Sequence, residues 1–259
     1  MLDFSVGLSG CKLELIDSRV LRKYSSSISY NSRLSLQVNK QVLFSRRILK
    51  NVDTPKVHNI WDEYFDMEYI PGKSFVEFFS TSSIKDIEFV IDTLFEYFDS
   101  LILNYRLINV QSNIDEKIKV LKNKTCYKNY LEYIELLIKK QNVYVPKNRL
   151  FFIDFLDCYV DSFISDLVKL KQDLYHLWSI KTQNIQSNRL EQIYKHIWNQ
   201  LYCRYSKFID TDEFDILEAM NSLRIEPYLT FSHQRSILDI MVKSSKLYAD
   251  FNNSYGGTV

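Results

Sequence analysis

The chain has 259 residues, 46% of them hydrophobic, and its 33 basic and 32 acidic residues leave a formal charge of +1. A chain of this size and composition can bury one large core or two modest ones, which excludes a disordered protein and a small disulfide-stapled domain. The near-neutral charge gives no general reason to expect a nucleic acid or an anionic membrane as its partner.

The cysteines and the apolar runs indicate the compartment. The four cysteines lie far apart and form no C-x-x-C pair, so we expect reduced thiols rather than a disulfide framework or a zinc site. The first residues show no basic and then apolar run, and no stretch approaches the roughly 18 apolar residues of a membrane span. We therefore expect a cytoplasmic protein.

The first 72 residues predict a small antiparallel sheet with one helix. Apolar positions recur at helical spacing between Ser32 and Leu49, and Pro55 stops any further helix. Alternating apolar and polar residues predict five strands, at 3–6, 11–16, 19–24, 56–61 and 64–70. This part of the chain should therefore form one sheet domain.

From residue 73 to residue 259 the pattern is mainly helical. Ser83, with Asp86 three residues later, gives a capping-box signal before an apolar stripe at helical spacing. The stripe consists of Ile87, Ile91, Leu94, Phe98 and Leu101. Further helices are predicted at about 113–122, 125–141, 166–179, 189–206, 212–223 and 233–250.

Two details complete the helical part. Asn188 is the predicted cap of the helix that starts at residue 189. The segments 143–145 and 150–154 form the only strand signal here and predict a short strand pair within 143–154. Together the elements predict an α+β protein with a small antiparallel-sheet lobe followed by a mainly helical lobe.

A glycine loop and a pair of cations stand out in the sheet domain. Gly7, Ser9 and Gly10 lie between the first two predicted strands, where glycine lets backbone amides approach phosphate closely; an ordinary hairpin is the alternative. Arg22 and Lys23 end the third strand. Strand alternation places Leu21 and Lys23 on one face and makes Lys23 the candidate phosphate ligand. A one-residue shift would select Arg22 instead, and an exposed charged edge is the interpretation without a site.

Two longer strings carry more specific signals. The string from Phe65 to Gly72 is a strand that must end where Pro71 lacks an amide donor and the glycine relaxes the turn. The string from Leu150 to Asp157 is an apolar strand with Asp154 at its tip. A carboxylate held in this way suits a magnesium ion that bridges phosphates, although a strand-end acid is often only a turn residue.

With these motifs in this order, the chain resembles the small-molecule kinases of the aminoglycoside phosphotransferase and choline kinase type, which have a two-lobed, protein-kinase-like fold. The resemblance implies ATP and magnesium as cofactors and a small hydroxylated acceptor. It implies that Asp154 holds the metal and that Asp166 caps the following helix. The residues that it implies for nucleotide binding are Gly7, Ser9, Gly10, Leu21, Lys23 and the hinge Met67, Glu68, Tyr69 and Ile70.

The chain departs from the family pattern in two places. The helix after Lys23 should offer a glutamate to pair with it, but residues 31–52 contain no acid, and Gln41 stands near that position. The H-G-D and asparagine loop expected before Asp154 is also missing, since no aspartate occurs between Asp115 and that residue. In this family the loop aspartate accepts the acceptor's proton, and general bases contribute about 100-fold to 10,000-fold. We therefore expect a degenerate phosphotransferase with no catalytic residue assigned.

Two alternatives remain for the function and two for the aromatic residues. The chain could be an active kinase that uses another base such as Asp157, or a non-catalytic protein that binds a partner. His176 is either a residue of an acceptor pocket or a packed histidine. Tyr175, Trp178 and Trp198 are either a cage for a quaternary amine or ordinary core residues, and core packing accounts for them.

Overall fold

The computed structural model describes residues 11–25, 27–46, 51–103, 106–109, 111–140, 144–147 and 162–255. These residues form a small antiparallel sheet with a mainly helical remainder, so the predicted α+β class is confirmed. They divide into two units, one that ends at Lys73 and one that begins at Ser74. The strand predicted at 3–6, the glycine loop and the strand that carries Asp154 lie outside the described residues.

Four strands form the sheet of the first unit in the order β1-β2-β4-β3, and every neighbouring pair is antiparallel. Their bounds are Cys11–Leu15 for β1, Val20–Ser25 for β2, Val57–Ile60 for β3 and Tyr64–Glu68 for β4. The Asp17 carboxylate accepts the amides of Arg19 and Val20 at 2.7 and 2.9 Å. These bonds close the turn between β1 and β2 at the predicted place.

One helix, α1 (Asn31–Phe44), covers one face of this sheet. Its residues Leu34 and Val38 pack against Cys11 and Phe65 in a buried cluster. The helix ends five residues before the predicted Leu49. Ser45 is its C-cap, and the Ser45 hydroxyl donates to the Val42 carbonyl at 2.9 Å, so a local polar contact competes with helix extension.

The second unit begins with α2 (Phe75–Thr81), which the sequence did not predict, and α3 (Ile84–Ile102). The capping box of α3 is confirmed: the Asp86 amide donates to Ser83 Oγ, and the Ser83 amide donates to the Asp86 carboxylate at 2.7 Å. All five residues of the predicted apolar stripe are buried. A periodic stripe with a matching cap was therefore a sound predictor of this helix.

A two-stranded ribbon and two helices follow. The ribbon pairs β5 (Arg106–Asn109) with β6 (Tyr144–Lys147) in antiparallel register. Between them lie α4 (Gln111–Lys122) and α5 (Lys128–Lys140). The strand predicted at 143–145 is confirmed, but its partner among the described residues is β5, which the sequence did not predict.

Six helices complete the unit, and two of the predicted helices are divided. The bounds are α6 (Phe163–Leu174), α7 (Trp178–Thr182), α8 (Asn188–Ile209), α9 (Asp212–Ile225), α10 (Ser232–Lys243) and α11 (Lys246–Tyr255). The helix predicted at 166–179 is interrupted because Leu177 takes a left-handed conformation with φ of 61°. The helix predicted at 233–250 breaks at Ser244 and Ser245. Asn188 is the first residue of α8 and not its cap; the cap is Ser187, whose hydroxyl accepts the Leu190 amide.

The largest fully buried side chains of this unit come from α2, α3, α5, α6, α8 and α9, and they include Phe79, Phe98, Tyr130, Phe163 and Phe214. Among the described helices there is none whose length and apolar content would let it span a lipid bilayer.

Glu226, directly after α9, fastens the segment between α4 and α5. Its buried carboxylate accepts hydrogen bonds from the Thr125 hydroxyl, from the Cys126 amide at 3.0 Å and from the Arg235 guanidinium at 2.8 Å. Burial alone would raise the pKa of Glu226, but the hydrogen bonds from Cys126, Thr125 and Arg235 outweigh it and lower that pKa. The ionised carboxylate is therefore the form that the fold stabilises.

Replacing this carboxylate with an amide should destabilise the protein. We expect Glu226→Gln to lower the free energy of unfolding at pH 7 by about 2–3 kcal/mol, because one acceptor oxygen is replaced by a donor facing other donors. The pKa of Glu226 is lowered in the folded state. The extra stability of the wild type over Glu226→Gln is therefore fully present above the ordinary glutamate pKa of 4.5, and it is lost as the pH falls through the folded-state pKa of Glu226. Urea unfolding at pH 7 and at about pH 3.5 measures both effects.

The matched control is Glu116→Gln, which changes an exposed glutamate of α4 that forms no ion pair with any described residue. It should shift the free energy by less than about 0.5 kcal/mol. Equal stability of Glu226→Gln and wild type at pH 7 would contradict the fastening role.

Candidate functional site

The register of the sheet brings three of the predicted nucleotide-binding residues to one face. Leu21 lies opposite Met67 in the β2–β4 ladder, and Lys23 lies opposite Phe65. Residues two apart on a strand share a face. Since Phe65 packs under α1, the face that holds Leu21, Lys23 and Met67 is the face that α1 covers.

Arg22 lies on the opposite face of the sheet, where it contacts Asp66 and Tyr64. Its Nε donates to Asp66 Oδ1 at 2.8 Å and its second guanidinium nitrogen donates to Oδ2 at 3.1 Å. Its guanidinium carbon also lies 4.1 Å from the centroid of the Tyr64 ring. The hydrogen bond to Asp66 raises the pKa of Arg22. Arg22 is therefore already paired with a carboxylate, on the face of the sheet opposite Lys23.

Gln41, which stands near the position of the missing glutamate, forms its hydrogen bond elsewhere. The buried Gln41 amide donates to the Pro55 carbonyl at 2.8 Å and lies 3.5 Å from the Met67 sulfur. It holds the segment before β3 against α1. One turn earlier, Gln37 is buried on the same side of the helix, and its Oε1 accepts no hydrogen bond within the described part of the chain. Sequence analysis missed Gln37, although its spacing of four residues from Gln41 could have indicated a shared face.

Hydrogen bonds distinguish the four predicted hinge residues. The Glu68 amide donates to the Lys56 carbonyl at 2.8 Å, and the Tyr69 amide donates to the Arg19 carbonyl at 2.7 Å. Both amides thus belong to the sheet. Ile70 is 54% exposed, and its amide donates to no oxygen of the residues that the structure describes. The backbone donor that a nucleobase could reach on this strand is therefore the Ile70 amide, immediately before Pro71.

In the helical unit, Asp166 does not cap a helix. The cap of α6 is Ser162, whose hydroxyl accepts the Ile164 amide at 3.2 Å. Asp166 lies one turn further on and is fully buried, where it accepts a hydrogen bond of 3.3 Å from the Tyr97 hydroxyl. The Lys169 ammonium lies 4.0 Å from its other oxygen. Asp166 therefore joins α6 to α3.

A second buried carboxylate, Glu218, joins α6 and the following turn to α9. Lys171 Nζ lies 2.8 Å from it, and His176 Nε2 lies 3.3 Å from its Oε1. Burial would raise the pKa of Glu218, but the hydrogen bond from His176 and the charge of Lys171 lower it overall. His176 is thus a packed histidine, as one of the two interpretations of the sequence had it. Glu218 could have been noticed in the sequence, because it is an acidic residue four positions after Phe214, where helical periodicity predicts an apolar residue.

The remaining elements of the predicted site, Gly7, Ser9, Gly10 and Asp154, lie outside the described residues. Among the described residues, no group of three or more His, Cys, Asp or Glu side chains is arranged to hold a metal ion. Comparison with known protein families, with characterised proteins and with solved structures finds no match for this chain.

The buried ion pair of α6 and α9 makes a testable difference to stability. We expect Glu218→Ala to cost about 3–5 kcal/mol, because Lys171 is then left without its buried carboxylate. The double variant Glu218→Leu with Lys171→Met should recover most of this loss, since neither charge remains. Urea unfolding of both proteins at pH 7 measures the difference.

Glu213→Ala, on the same helix, is the control, and it should change the free energy by less than about 0.5 kcal/mol. If the double variant were as unstable as Glu218→Ala, loss of packing would explain the effect and the unpaired charge would not.

Proposed function

We propose that the chain is a degenerate small-molecule phosphotransferase of the kinase-like type, whose sheet unit binds ATP and whose phosphoryl transfer is impaired. The register of β2 and β4 carries this proposal, because it places Leu21, Lys23 and Met67 on the face that α1 covers. A nucleotide needs apolar contacts for its base and a cation for its phosphates, and these three side chains offer both.

Each residue then has a separate role. The Lys23 ammonium binds the phosphates as a point charge. Leu21 and Met67 contact the base, and the open amide of Ile70 donates to a ring nitrogen. Asp154 supplies the carboxylate for magnesium on the resemblance of its sequence string alone. The buried Gln37 Oε1 accepts no hydrogen bond from the described residues, and an unsatisfied acceptor costs about 1–3 kcal/mol, which supports a ligand or water on this side of α1.

Two absences limit the chemistry that this proposal allows. Residues 31–52 contain no acid, so no carboxylate of α1 can pair with Lys23, and the phosphates are held less firmly than in an active kinase. The catalytic loop expected before Asp154 is also missing from the sequence. Without its aspartate and asparagine, neither the acceptor hydroxyl nor a second metal contact is positioned.

Nucleotide binding is tested by thermal unfolding with magnesium and ATP. A ligand at 100 times its dissociation constant stabilises the folded state by about 2.7 kcal/mol, which raises the midpoint by a few degrees in a chain of this size. We expect this shift in the wild type and its loss in Lys23→Ala. Lys12→Ala should keep the shift, because Lys12 is exposed and lies on the opposite face of the neighbouring strand.

No shift at saturating ATP would contradict the proposal and favour the alternative of a non-catalytic, partner-binding protein. Loss of the shift in both lysine variants would contradict the assigned face, since general charge and not position would then govern binding.

Phosphoryl transfer is tested with labelled ATP and a panel of sugars, aminoglycosides and amino alcohols. We expect no product above the level given by Asp154→Ala, because the sequence lacks the loop aspartate that would accept the acceptor's proton. Product that is formed by the wild type and abolished in Asp154→Ala would establish the alternative of an active kinase with another base, such as Asp157.

A further inference from the structure

The strand β3 lies at an edge of the sheet, because β4 pairs with one of its sides and no described strand pairs with the other. His58, Asn59 and Ile60 are exposed, the last of them to 54%. Trp61, directly after the strand, is 44% exposed. We call residues 56–63 the β3 edge. A sheet edge with exposed apolar side chains is a surface at which sheets associate.

The register shows which backbone groups of the β3 edge are open. The Trp61 amide donates to the Tyr64 carbonyl at 2.9 Å, so these two residues are a hydrogen-bonded pair. Such pairs alternate with non-bonded pairs in an antiparallel ladder, and the next pair, Ile60 with Phe65, is therefore non-bonded. The amide and the carbonyl of Ile60 accordingly point away from β4. They form a donor and an acceptor that a further strand can reach.

The sequence of the β3 edge gives little protection against such pairing. Proteins keep edge strands apart by placing charged residues, proline or a bulge in them. Residues 57–61, with the sequence Val-His-Asn-Ile-Trp, contain no lysine, arginine, acid or proline. A register shift between Val57 and Asn59 is a protective irregularity, but it lies before Ile60. The part of the edge around Ile60 is thus open to pairing.

The charges that flank Ile60 have opposite signs on its two sides. Lys56 and His58 precede it, and both are exposed. Asp62 and Glu63 follow it in an exposed turn. If two copies pair antiparallel about a two-fold axis at Ile60, the residues before it in one copy face the residues after it in the other. The acidic turn of each copy then lies beside the basic residues of the other, so the charges at this edge are complementary to those of a second copy.

The apolar side chains also match under this symmetry. Ile60 is on the same face of the sheet as its cross-strand neighbour Phe65, which packs against Leu34 of α1. The two Ile60 side chains therefore meet at the axis and extend this cluster from one copy to the other. Trp61 projects to the opposite face, where its ring stacks on Tyr64 with centroids 4.4 Å apart. Apolar groups thus cover the joined edges on both faces.

We propose that the β3 edge pairs with the β3 edge of a second copy of the chain, which joins the two four-stranded sheets into one. Each Ile60 amide donates to the Ile60 carbonyl of the other copy across the two-fold axis. The paired segment is short and buries less than the roughly 1,200 Å² of a stable interface, so the dissociation constant is on the order of 10–100 µM. The proposal does not depend on nucleotide binding by the sheet unit.

The test is sedimentation equilibrium of the full chain between about 1 and 300 µM, a range that brackets this dissociation constant. We expect a reversible dimer that weakens about 3-fold or more between roughly 0.05 and 0.5 M sodium chloride, because salt screens exposed charges. Amide hydrogen exchange at both ends of the concentration range should show protection of the Ile60 amide only in the dimer. A dimer whose Ile60 amide exchanges as fast as in the monomer would show that another surface associates.

Two variants separate the β3 edge from apolar surface in general. Ile60→Lys brings two like charges together at the axis and should weaken association about 10-fold or more. Ile28→Lys is the matched control, since Ile28 is 86% exposed and lies outside the β3 edge. It should leave the dissociation constant unchanged.

Charge reversal tests the two-fold arrangement. Lys56→Glu and Asp62→Lys should each weaken association about 3-fold to 10-fold, because each places like charges beside one another. The double variant restores opposite charges across the axis, and its dissociation constant should return to within about 3-fold of the wild-type value.

Three outcomes would overturn the proposal: a monomer at the highest concentration, undiminished association of Ile60→Lys, or a double charge variant that associates no more tightly than the single ones. The thermal shift with ATP should be the same in Ile60→Lys as in the wild type, so the two proposals fail independently.

Discussion

A buried ionised group must have a partner of opposite charge or several hydrogen bonds, and this constraint organises both units of the protein. In the sheet unit it fixes Asp66 to Arg22 across β2 and β4. In the helical unit it fixes Glu218 to Lys171 between α6 and α9, and Glu226 to Arg235 after α9. Apolar packing brings these elements together, but the carboxylates determine which residues face one another, because a slip of one position would leave a charge unpaired.

Sequence-based prediction succeeded where the deciding signals are local. Elements with a regular apolar period and a local cap, such as α3 with Ser83 and Asp86, could be located from the sequence because both signals lie within a few residues of each other. The strands around the Asp17 turn were found for the same reason. The face of Lys23 also followed from simple alternation along β2, and the cross-strand register bears that placement out.

Predictions failed where the deciding contact was distant in the sequence. Gln41 stands near the position expected for a glutamate that pairs with Lys23, but its amide donates to the Pro55 carbonyl, which no helical pattern could indicate. Asp166 was expected to cap a helix because it lies near the start of α6, whereas a tyrosine from α3 holds it inside the core.

The fastening of the segment between α4 and α5 has a consequence for how the helical unit is made. Thr125 bonds to Glu226 across 101 residues, and Tyr127 bonds to Asp239 across 112 residues. Contacts of such sequence separation require a long loop to close before they contribute any stability, which slows folding. The segment before α5 forms these hydrogen bonds only after α9 and α10 have been synthesised. During translation, these two contacts therefore cannot both form until α10 has left the ribosome.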